Sequence, residues 1–176
     1  MSAHSSRLRG HVSGVERRTV IRPSREPRES LLCARDLMST DVLVCQGTDS
    51  CEDVVERMRE GNVGILPVMD GGSVVGVVTD RDIALRHFGR QGAARPHTTV
   101  RGCMTSQVVS VDSETSVEAS VRAMRDNHVR RLLVMDGGTL RGVLTLDDVI
   151  VASDGRPALG SVVKEALRER VGPVPA

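Results

Sequence analysis

The sequence has 176 residues, with 24 Lys and Arg against 23 Asp and Glu and a formal net charge of +1. This balance gives no overall attraction to nucleic acid, to a membrane surface or to acidic partners. There is no Trp or Tyr and only one Phe, so the core must be aliphatic, and this composition argues against binding of single-stranded nucleic acid on stacked aromatic side chains.

The sequence also has no feature of a membrane or exported protein. No apolar run approaches the roughly 20 residues that a membrane span needs, and the N-terminus lacks the apolar core of a secretory signal. The four cysteines form no Cys-x-x-Cys pair and have no His at metal-ligand spacing, which favours free thiols in a reducing compartment. We therefore expect a cytoplasmic protein.

Residues 1–32 differ in composition from the rest, because they mix arginines with Ser, Pro and Gly and contain few apolar residues. We predict a basic arm that does not pack. Such an arm could contact nucleic acid or a partner, or it could be a solvated tail or an upstream extension. The tail is favoured, because Glu16, Glu26 and Glu29 dilute the positive charge.

An internal repeat begins at Met38. Aligning Met38 with Met104 carries through to Ile83 and Val149 without a gap, and the longest shared block is Val-Met-Asp-Gly-Gly. Two copies are too few for a solenoid, so we expect two halves that pack face to face about a pseudo-twofold axis.

Each copy predicts the element order β-α-β-β-α, and so an α+β fold. A short strand (Val42–Cys45, Val108–Val111) leads into a helix, for which Asp49 with Glu52 and Thr115 with Glu118 have capping-box spacing. The helices carry one apolar face, and Gly61 and Asn127 are placed to end them with a positive φ. The residues of these faces are Val54, Val55 and Met58, then Val117, Val121 and Met124.

The second half of each copy predicts a hairpin, because Asp-Gly-Gly separates two apolar runs. The runs are Ile65–Met69 and Ser73–Val78, then Leu132–Met135 and Thr139–Leu144. The last strand enters a helix through Thr-x-x-Asp, as Thr79 to Asp82 and again as Thr145 to Asp148.

These patterns divide the chain into an arm (1–32), a first repeat (33–95), a second repeat (96–152) and a C-terminal segment (153–176). In the last segment a polar break precedes a short helix that docks on the repeats or on a second subunit. Its predicted apolar face carries Val162, Val163, Ala166 and Leu167.

No catalytic constellation accompanies the repeat. The five histidines are scattered, no known nucleophile or phosphate-loop motif occurs, and we predict that the protein is not an enzyme. His128 follows a helix end, where an exposed cap is its expected role.

The doubled unit, its Asp-Gly-Gly hairpin and its Gly-x-x-Thr-x-x-Asp ending resemble the CBS (cystathionine β-synthase) domain family. Over about residues 33–152 the chain resembles a stand-alone tandem pair, the Bateman module, of a type common in bacteria. The resemblance implies a homodimer and an adenine nucleoside or nucleotide, such as AMP, ADP or ATP, bound between the repeats. It places Thr79 and Asp82 in one site and Thr145 and Asp148 in the other.

The residues themselves leave two roles open for this motif. A carboxylate can accept bonds from both hydroxyls of a ribose, yet Thr followed by Asp three residues later is also a helix cap that needs no ligand. Duplication does not separate these roles, because a cap is copied as faithfully as a site.

The two copies are predicted to be unequal. Arg81 lies within the first motif and Asp147 at the matching place in the second, so the first site is expected to be the better phosphate binder. Arg130 and Arg131 could reach a phosphate across the cleft or form a solvated strand edge. The adenine would need an aliphatic slot, for which the candidates are Val42, Ile65, Pro67 and Val108.

The resulting hypothesis is a regulatory module that binds an adenine ligand and signals to an unknown regulated protein. The alternative is a ligand-free dimerisation scaffold of the stress- or dormancy-response type. A third interpretation, a nucleic-acid binder that uses residues 1–32, predicts salt-sensitive binding.

Overall fold

A computed structural model of the chain describes residues 19–21, 32–88 and 98–168. Each copy of the repeat forms a small sheet with helices on one face, which confirms the α+β prediction. In chain order the elements are β1 (Thr19–Ile21), α1 (Ala34–Leu37), β2 (Cys45–Gln46), α2 (Cys51–Glu60), β3 (Ile65–Asp70), β4 (Ser73–Thr79), α3 (Asp80–Ile83), a π-helical segment (Ala84–Phe88), α4 (Val100–Cys103), β5 (Val109–Asp112), α5 (Val117–Asp126), β6 (Arg131–Asp136), β7 (Thr139–Thr145), α6 (Leu146–Ala152) and α7 (Pro157–Arg168).

The two sheets share one topology. The first has the order β2-β3-β4 and the second has β5-β6-β7 with β1 added beside β5. In both, the first strand of the repeat is parallel to the second, and the second and third form an antiparallel hairpin. The hairpins even share a register shift, after Val68 in one and after Val134 in the other.

The hairpin turns confirm the Asp-Gly-Gly prediction. Gly71 and Gly72 have φ of 54° and 78°, and Gly137 and Gly138 have 55° and 88°. Two successive residues at positive φ are what a tight hairpin turn requires, and glycine adopts that conformation without steric cost.

The helix starts lie one residue later than predicted. The N-cap of α2 is Ser50, whose hydroxyl accepts from the amide of Asp53, and the N-cap of α5 is Ser116. Asp49 instead accepts from the amide of Gln46, 3.1 Å away, and forms an ion pair with an arginine of α2, while Thr115 is fully buried. The proposed capping boxes at Asp49 and Thr115 are therefore wrong.

The helix ends and the first strands differ in detail as well. Gly61 and Asn127 do end α2 and α5, but both have negative φ, and the positive φ falls on the next residues, Asn62 (49°) and His128 (55°). The first strands begin later than predicted, at Cys45 and Val109.

Short segments cross between the repeats. Helix α1 lies at the start of the predicted first repeat, yet Ala34 is buried in the core of the second, and Ser39 bridges Val143 of β7. Helix α4 lies at the start of the predicted second repeat, yet Val100 is buried in the core of the first. The predicted division at residues 33–95 and 96–152 therefore does not separate the two cores.

The glycine of the repeated motif is explained by this crossing. A Cβ at Gly142 would lie 2.7 Å from the carbonyl oxygen of Ser39 and 2.6 Å from the sulfur of Met38. At Gly76 the corresponding distances, to Thr105 and Met104, are both 2.9 Å. Gly142 thus lets the segment before β2 pass close to β7, and Gly76 lets the segment before β5 pass close to β4.

The repeats face each other through the sheets. Val74 of the first repeat packs with Val108, Leu133 and Val143 of the second in one buried cluster. This interface completes the pseudo-symmetric pair.

The outer helical faces differ between the repeats. Helix α7 covers the second repeat, burying Leu159, Val163 and Ala166 against α5 and α6. The first repeat has no such cover among the described residues, and Val55, predicted to be in the core, is 40% exposed. Of the predicted apolar face of α7, Leu167 is also exposed, and Leu159, which was not predicted, is buried.

The prediction that residues 1–32 do not pack is wrong for Thr19–Ile21, which pair in parallel with Val109–Val111. Residues 1–18 and 22–31 of that arm lie outside the described residues. Within the part of the chain that the structure describes, no helix is long and apolar enough to cross a membrane.

Candidate functional site

A cleft opens where the two repeats meet, beside the end of β7. Its cavity volume is about 180 Å³, which is smaller than the roughly 300–1,000 Å³ typical of drug-sized ligand sites. The first repeat contributes the chain before β2 and the turn before β3, and the second contributes residues of β6 and β7. The apolar lining consists of Val42, Leu43, Val63, Ile65 and Val143.

Polar side chains from both repeats line the same cleft. They are Ser39, Asp41, Asn62, Arg131 and Thr145. Asp41 and Arg131 bring opposite charges to one space. The cleft therefore offers aliphatic walls together with hydrogen-bonding groups, which is the usual make-up of a small-ligand site.

The Thr145 motif places a carboxylate next to this cleft. The amide of Asp148 donates to Thr145 Oγ1 over 3.1 Å, while the amide and hydroxyl of Thr145 donate to Asp148 Oδ2 over 2.9 and 2.7 Å. Asp148 Oδ1 makes no hydrogen bond with any described residue. The cap therefore uses one oxygen of the carboxylate and leaves the other able to accept from a ligand.

The Thr79 motif forms the same cap, with distances of 3.0, 3.1 and 2.7 Å. Here the second oxygen of the carboxylate is engaged. Arg86 Nη2 lies 3.3 Å from Asp82 Oδ1, and Thr105 Oγ1 lies 3.5 Å from it. The two copies of the motif thus agree in the cap and differ in what meets the outer oxygen.

The predicted base slot is only partly assembled. Val42 and Ile65 line the cleft, and they do so with Thr145 and not with Thr79. Pro67 is buried in β3, and Val108 is buried in the cluster between the sheets, so neither lines this cleft. The cleft therefore combines two of the predicted slot residues of the first repeat with Thr145 of the motif of the second.

The arginines also separate. Arg131 lines the cleft, whereas Arg130 is exposed and lies 3.3 Å from Asp147. Arg81 is exposed on α3. The comparison of Arg81 with Asp147 predicts that the site beside Thr79 is the better phosphate binder. The geometry favours the site beside Thr145 instead, because the open cleft lies there and Arg130 pairs with Asp147.

Gly64 is a site residue that the sequence pattern did not reveal. A Cβ at this position would lie 3.4 Å from Arg131 Nη2 and 3.2 Å from Asp80 Oδ2. The absent side chain leaves room for Arg131 to extend from the second repeat towards the first. Asn62 was also missed. It has a positive φ, which asparagine tolerates better than most residues, so an asparagine directly after the predicted helix end is the sequence signal that could have found it.

The cysteines provide no reactive group near the cleft. Burial raises the pKa of the Cys45 thiol to about 11 and that of Cys51 to about 12, the latter helped by its hydrogen bond to Cys103. Such thiols stay protonated and are poor nucleophiles. Among the described residues, no group of three or more His, Cys, Asp or Glu side chains is placed to hold a metal ion.

Comparisons with known proteins match this architecture. A profile of the CBS domain family matches residues 34–87 and 100–155. The chain is 31% identical over 134 residues to the protein YlbB of Bacillus subtilis, covering 74% of this chain and 88% of that protein. It is 30% identical over 139 residues to the CBS domain-containing protein YhcV of Bacillus subtilis, covering 78% and 96%.

Solved structures show the same fold. A CBS-domain containing protein from Agrobacterium tumefaciens superposes with a TM-score of 0.64 at 26% identity, over 69% of this chain and 98% of that one. The structure of CBSX2 in complex with AMP gives 0.63 at 27% identity, over 70% and 97%.

Proposed function

Because this chain belongs to the CBS domain family, we propose that it is a non-enzymatic regulatory module that binds an adenine nucleoside or nucleotide between its repeats and signals to a partner protein. The observation that carries the proposal is the open cleft lined by Thr145, whose bonded neighbour Asp148 does not line the cleft but has an Oδ1 without a hydrogen-bond partner among the described residues. The AMP in the CBSX2 structure supports the ligand class.

In this proposal each wall of the cleft has its own role. Val42 and Ile65 supply the aliphatic slot for the base, since no aromatic side chain lines the cleft. Asp148 Oδ1 accepts from the ribose hydroxyls, and Thr145 holds that carboxylate in place. Two hydrogen bonds to a charged acceptor are among the stronger polar contacts available to a neutral ligand.

The charges of the cleft suit a short phosphate chain. Arg131 can meet one phosphate, but Asp41 lines the same cleft and opposes additional negative charge. We therefore expect adenosine or AMP to bind more tightly than ATP.

Calorimetric titration with AMP tests this function. Asp148→Ala should weaken AMP binding at least tenfold, because it removes the ribose acceptor. Asp82→Ala is the matched control: it deletes the same cap in the other repeat and should leave the affinity of this cleft within about twofold. Equal losses in the two variants, or no AMP binding at millimolar concentration, would refute the proposal.

A ligand-free scaffold that acts as a homodimer is the second candidate function. It is favoured by an apolar groove of about 380 Å³ on the first repeat, lined by Val55, Met58, Val63, Ile83 and Ala84 among others. Its counterpart on the second repeat, around Val121 and Met124, is filled by α7. An open copy of a groove that is filled elsewhere in the same chain suits a second subunit.

Sedimentation equilibrium over a range of protein concentrations tests the scaffold. Val55→Asp should shift a dimer to monomer, whereas Val151→Asp, on an exposed position of α6, should not. A monomeric wild-type protein, or an unchanged mass for Val55→Asp, would argue against dimerisation through this groove.

A further inference from the structure

We infer that Arg86 closes the site beside Thr79 and Asp82, so that the chain takes one ligand and not two. This inference rests on the proposed function, because it concerns which of the two motif copies is open to an adenine ligand. It names a residue outside the repeated motif as the determinant of stoichiometry.

The contacts of Arg86 carry the inference. Its Nη1 donates to the carbonyl oxygens of Cys103 and Met104, each over 2.8 Å, and its Nη2 donates to Thr105 Oγ1 over 3.1 Å. The same guanidinium lies 3.3 Å from Asp82 Oδ1. One side chain therefore meets the outer oxygen of the Asp82 carboxylate together with three oxygens of residues 103–105.

The carboxylate oxygen that Arg86 contacts, Asp82 Oδ1, is the one that a ligand would need. The cap consumes Asp82 Oδ2, so a ribose could be accepted only by Oδ1. A ligand at this copy would have to displace charge-assisted hydrogen bonds and leave backbone carbonyls of Cys103 and Met104 without their donor. That loss works directly against binding.

The other repeat has an alanine at the matching position. The alignment that pairs Thr79 with Thr145 pairs Thr105 with Ser39, and extending the same offset three residues beyond Ile83 and Val149 pairs Arg86 with Ala152. Ser39 lines the open cleft together with Thr145. Where a guanidinium fills the first copy, the second has only a methyl group.

The backbone differs at the same point. After Ile83 the chain of the first repeat passes into the π-helical segment Ala84–Phe88, which carries Arg86, whereas α6 remains α-helical through Ala152. Single π turns inside helices are often found at functional positions. The first copy therefore differs from the second both in side chain and in helical winding.

A structural role alone is the competing explanation, because Arg86 also satisfies carbonyls at the C-terminal end of α4. Such a role predicts a loss of stability when Arg86 is removed, but no change in the number of ligands bound. Stoichiometry therefore separates the two explanations.

The test is calorimetric titration of AMP into the full chain and its variants. The wild-type protein should bind one AMP and Arg86→Ala should bind two, while Arg141→Ala, an exposed arginine that pairs with Asp136, should still bind one. Adding Asp148→Ala should abolish binding in the wild-type background and leave one AMP in the Arg86→Ala background.

The outcomes keep the two proposals apart. One AMP for both wild type and Arg86→Ala overturns the closure by Arg86 and leaves the proposed function standing, and two AMP for the wild type also overturns the closure. Binding to neither protein refutes the proposed function for this probe.

If neither protein binds AMP, a measurement without ligand tests the contact between Arg86 and Asp82. Asp82→Ala should lower the melting temperature less in the Arg86→Ala background than in the wild type, because the two side chains are in contact. Additive effects of the two substitutions would overturn the contact, and with it the closure.

Discussion

The two repeats share the same backbone arrangement, but they differ on their helical side and on the side of the Thr-x-x-Asp motif. Each has the same hairpin turn, the same Thr-Asp cap and the same glycine against a crossing segment. On the helical side, α7 covers the second repeat and leaves the first open. On the motif side, Arg86 meets the outer oxygen of the first carboxylate, whereas the outer oxygen of the second has no hydrogen bond to any described residue.

This difference shows where a duplicated unit is free to diverge. The shared features are those on which the backbone depends: a positive φ, a close approach or an orphan amide at a helix start. The divergent residues follow the shared Thr-x-x-Asp motif or lie on outer helix faces, where a substitution changes what binds and not how the chain folds. Two repeats with the same backbone arrangement can therefore present different binding surfaces.

The largest test of this comparison is at one helix position in both repeats. Val121 is fully buried beneath α7, and its counterpart Val55 is 40% exposed. Val121→Asp should lower the free energy of unfolding by about 3 kcal/mol or more, because it buries a charge without a partner. Val55→Asp should change it by less than about 0.5 kcal/mol.

Urea unfolding of dilute protein followed by circular dichroism measures both. Val121→Asn, which is polar but uncharged, is the control and should fall between them. Similar losses at positions 121 and 55 would mean that α7 does not distinguish the two helical faces.

An intermediate effect is expected at the paired glycines. Gly142→Ala should destabilise by about 1–3 kcal/mol, because its Cβ would lie 2.7 Å from a backbone oxygen that cannot rotate away. Gly76→Ala should cost less, since its closest contacts are at 2.9 Å. Thermal unfolding of the two variants checks the order, and a more stable Gly142→Ala would contradict the close crossing.

The smallest expected effect concerns the thiols, which differ in their protection. Cys45, Cys51 and Cys103 are buried in the first repeat, and Cys33 is half-buried beside the second. At pH 8 a thiol-specific reagent such as DTNB should react with Cys33 first and with the other three only slowly. Cys33→Ser should remove the fast phase, whereas four equal rates in the native protein would contradict the burial.

The same thiols give stability a pH dependence. Their folded pKa values, about 11 for Cys45 and about 12 for Cys51, lie above the ordinary value of 9.0. The unfolded chain therefore releases these protons first, so their contribution is fully present below about pH 9 and is lost as the pH rises towards 11 and 12. Urea unfolding at pH 8 and pH 10, with Cys45→Ala as the control, measures this loss.

What could be predicted from the sequence was chemistry that acts within a few residues. The Asp-Gly-Gly turns and the caps formed by Thr79 with Asp82 and Thr145 with Asp148 were all found from spacing alone. Each depends on contacts between residues at most three apart, so the local pattern contains nearly all the information. The family resemblance was likewise supported by motifs that recur in order.

What could not be predicted depends on contacts across the chain. The caps of α2 and α5 were placed one residue early, because Asp49 and Ser50 both suit an N-cap and tertiary contacts choose between them. The role of Arg86 requires Cys103, Met104 and Thr105, which lie 17 to 19 residues further along the chain. Val55 has the same helical spacing as core residues, and only the absence of a covering helix among the described residues leaves it exposed.

The crossing segments bear on how the protein can be made. Val100 and Cys103 complete the core of the first repeat, and they follow it in the sequence. During synthesis the first repeat therefore lacks part of its core until these residues have left the ribosome, and Ala34 must wait still longer for the second core. Because neither half can finish alone, the pair is expected to gain its structure late and in one concerted step, and an engineered split at the linker would yield two incomplete pieces.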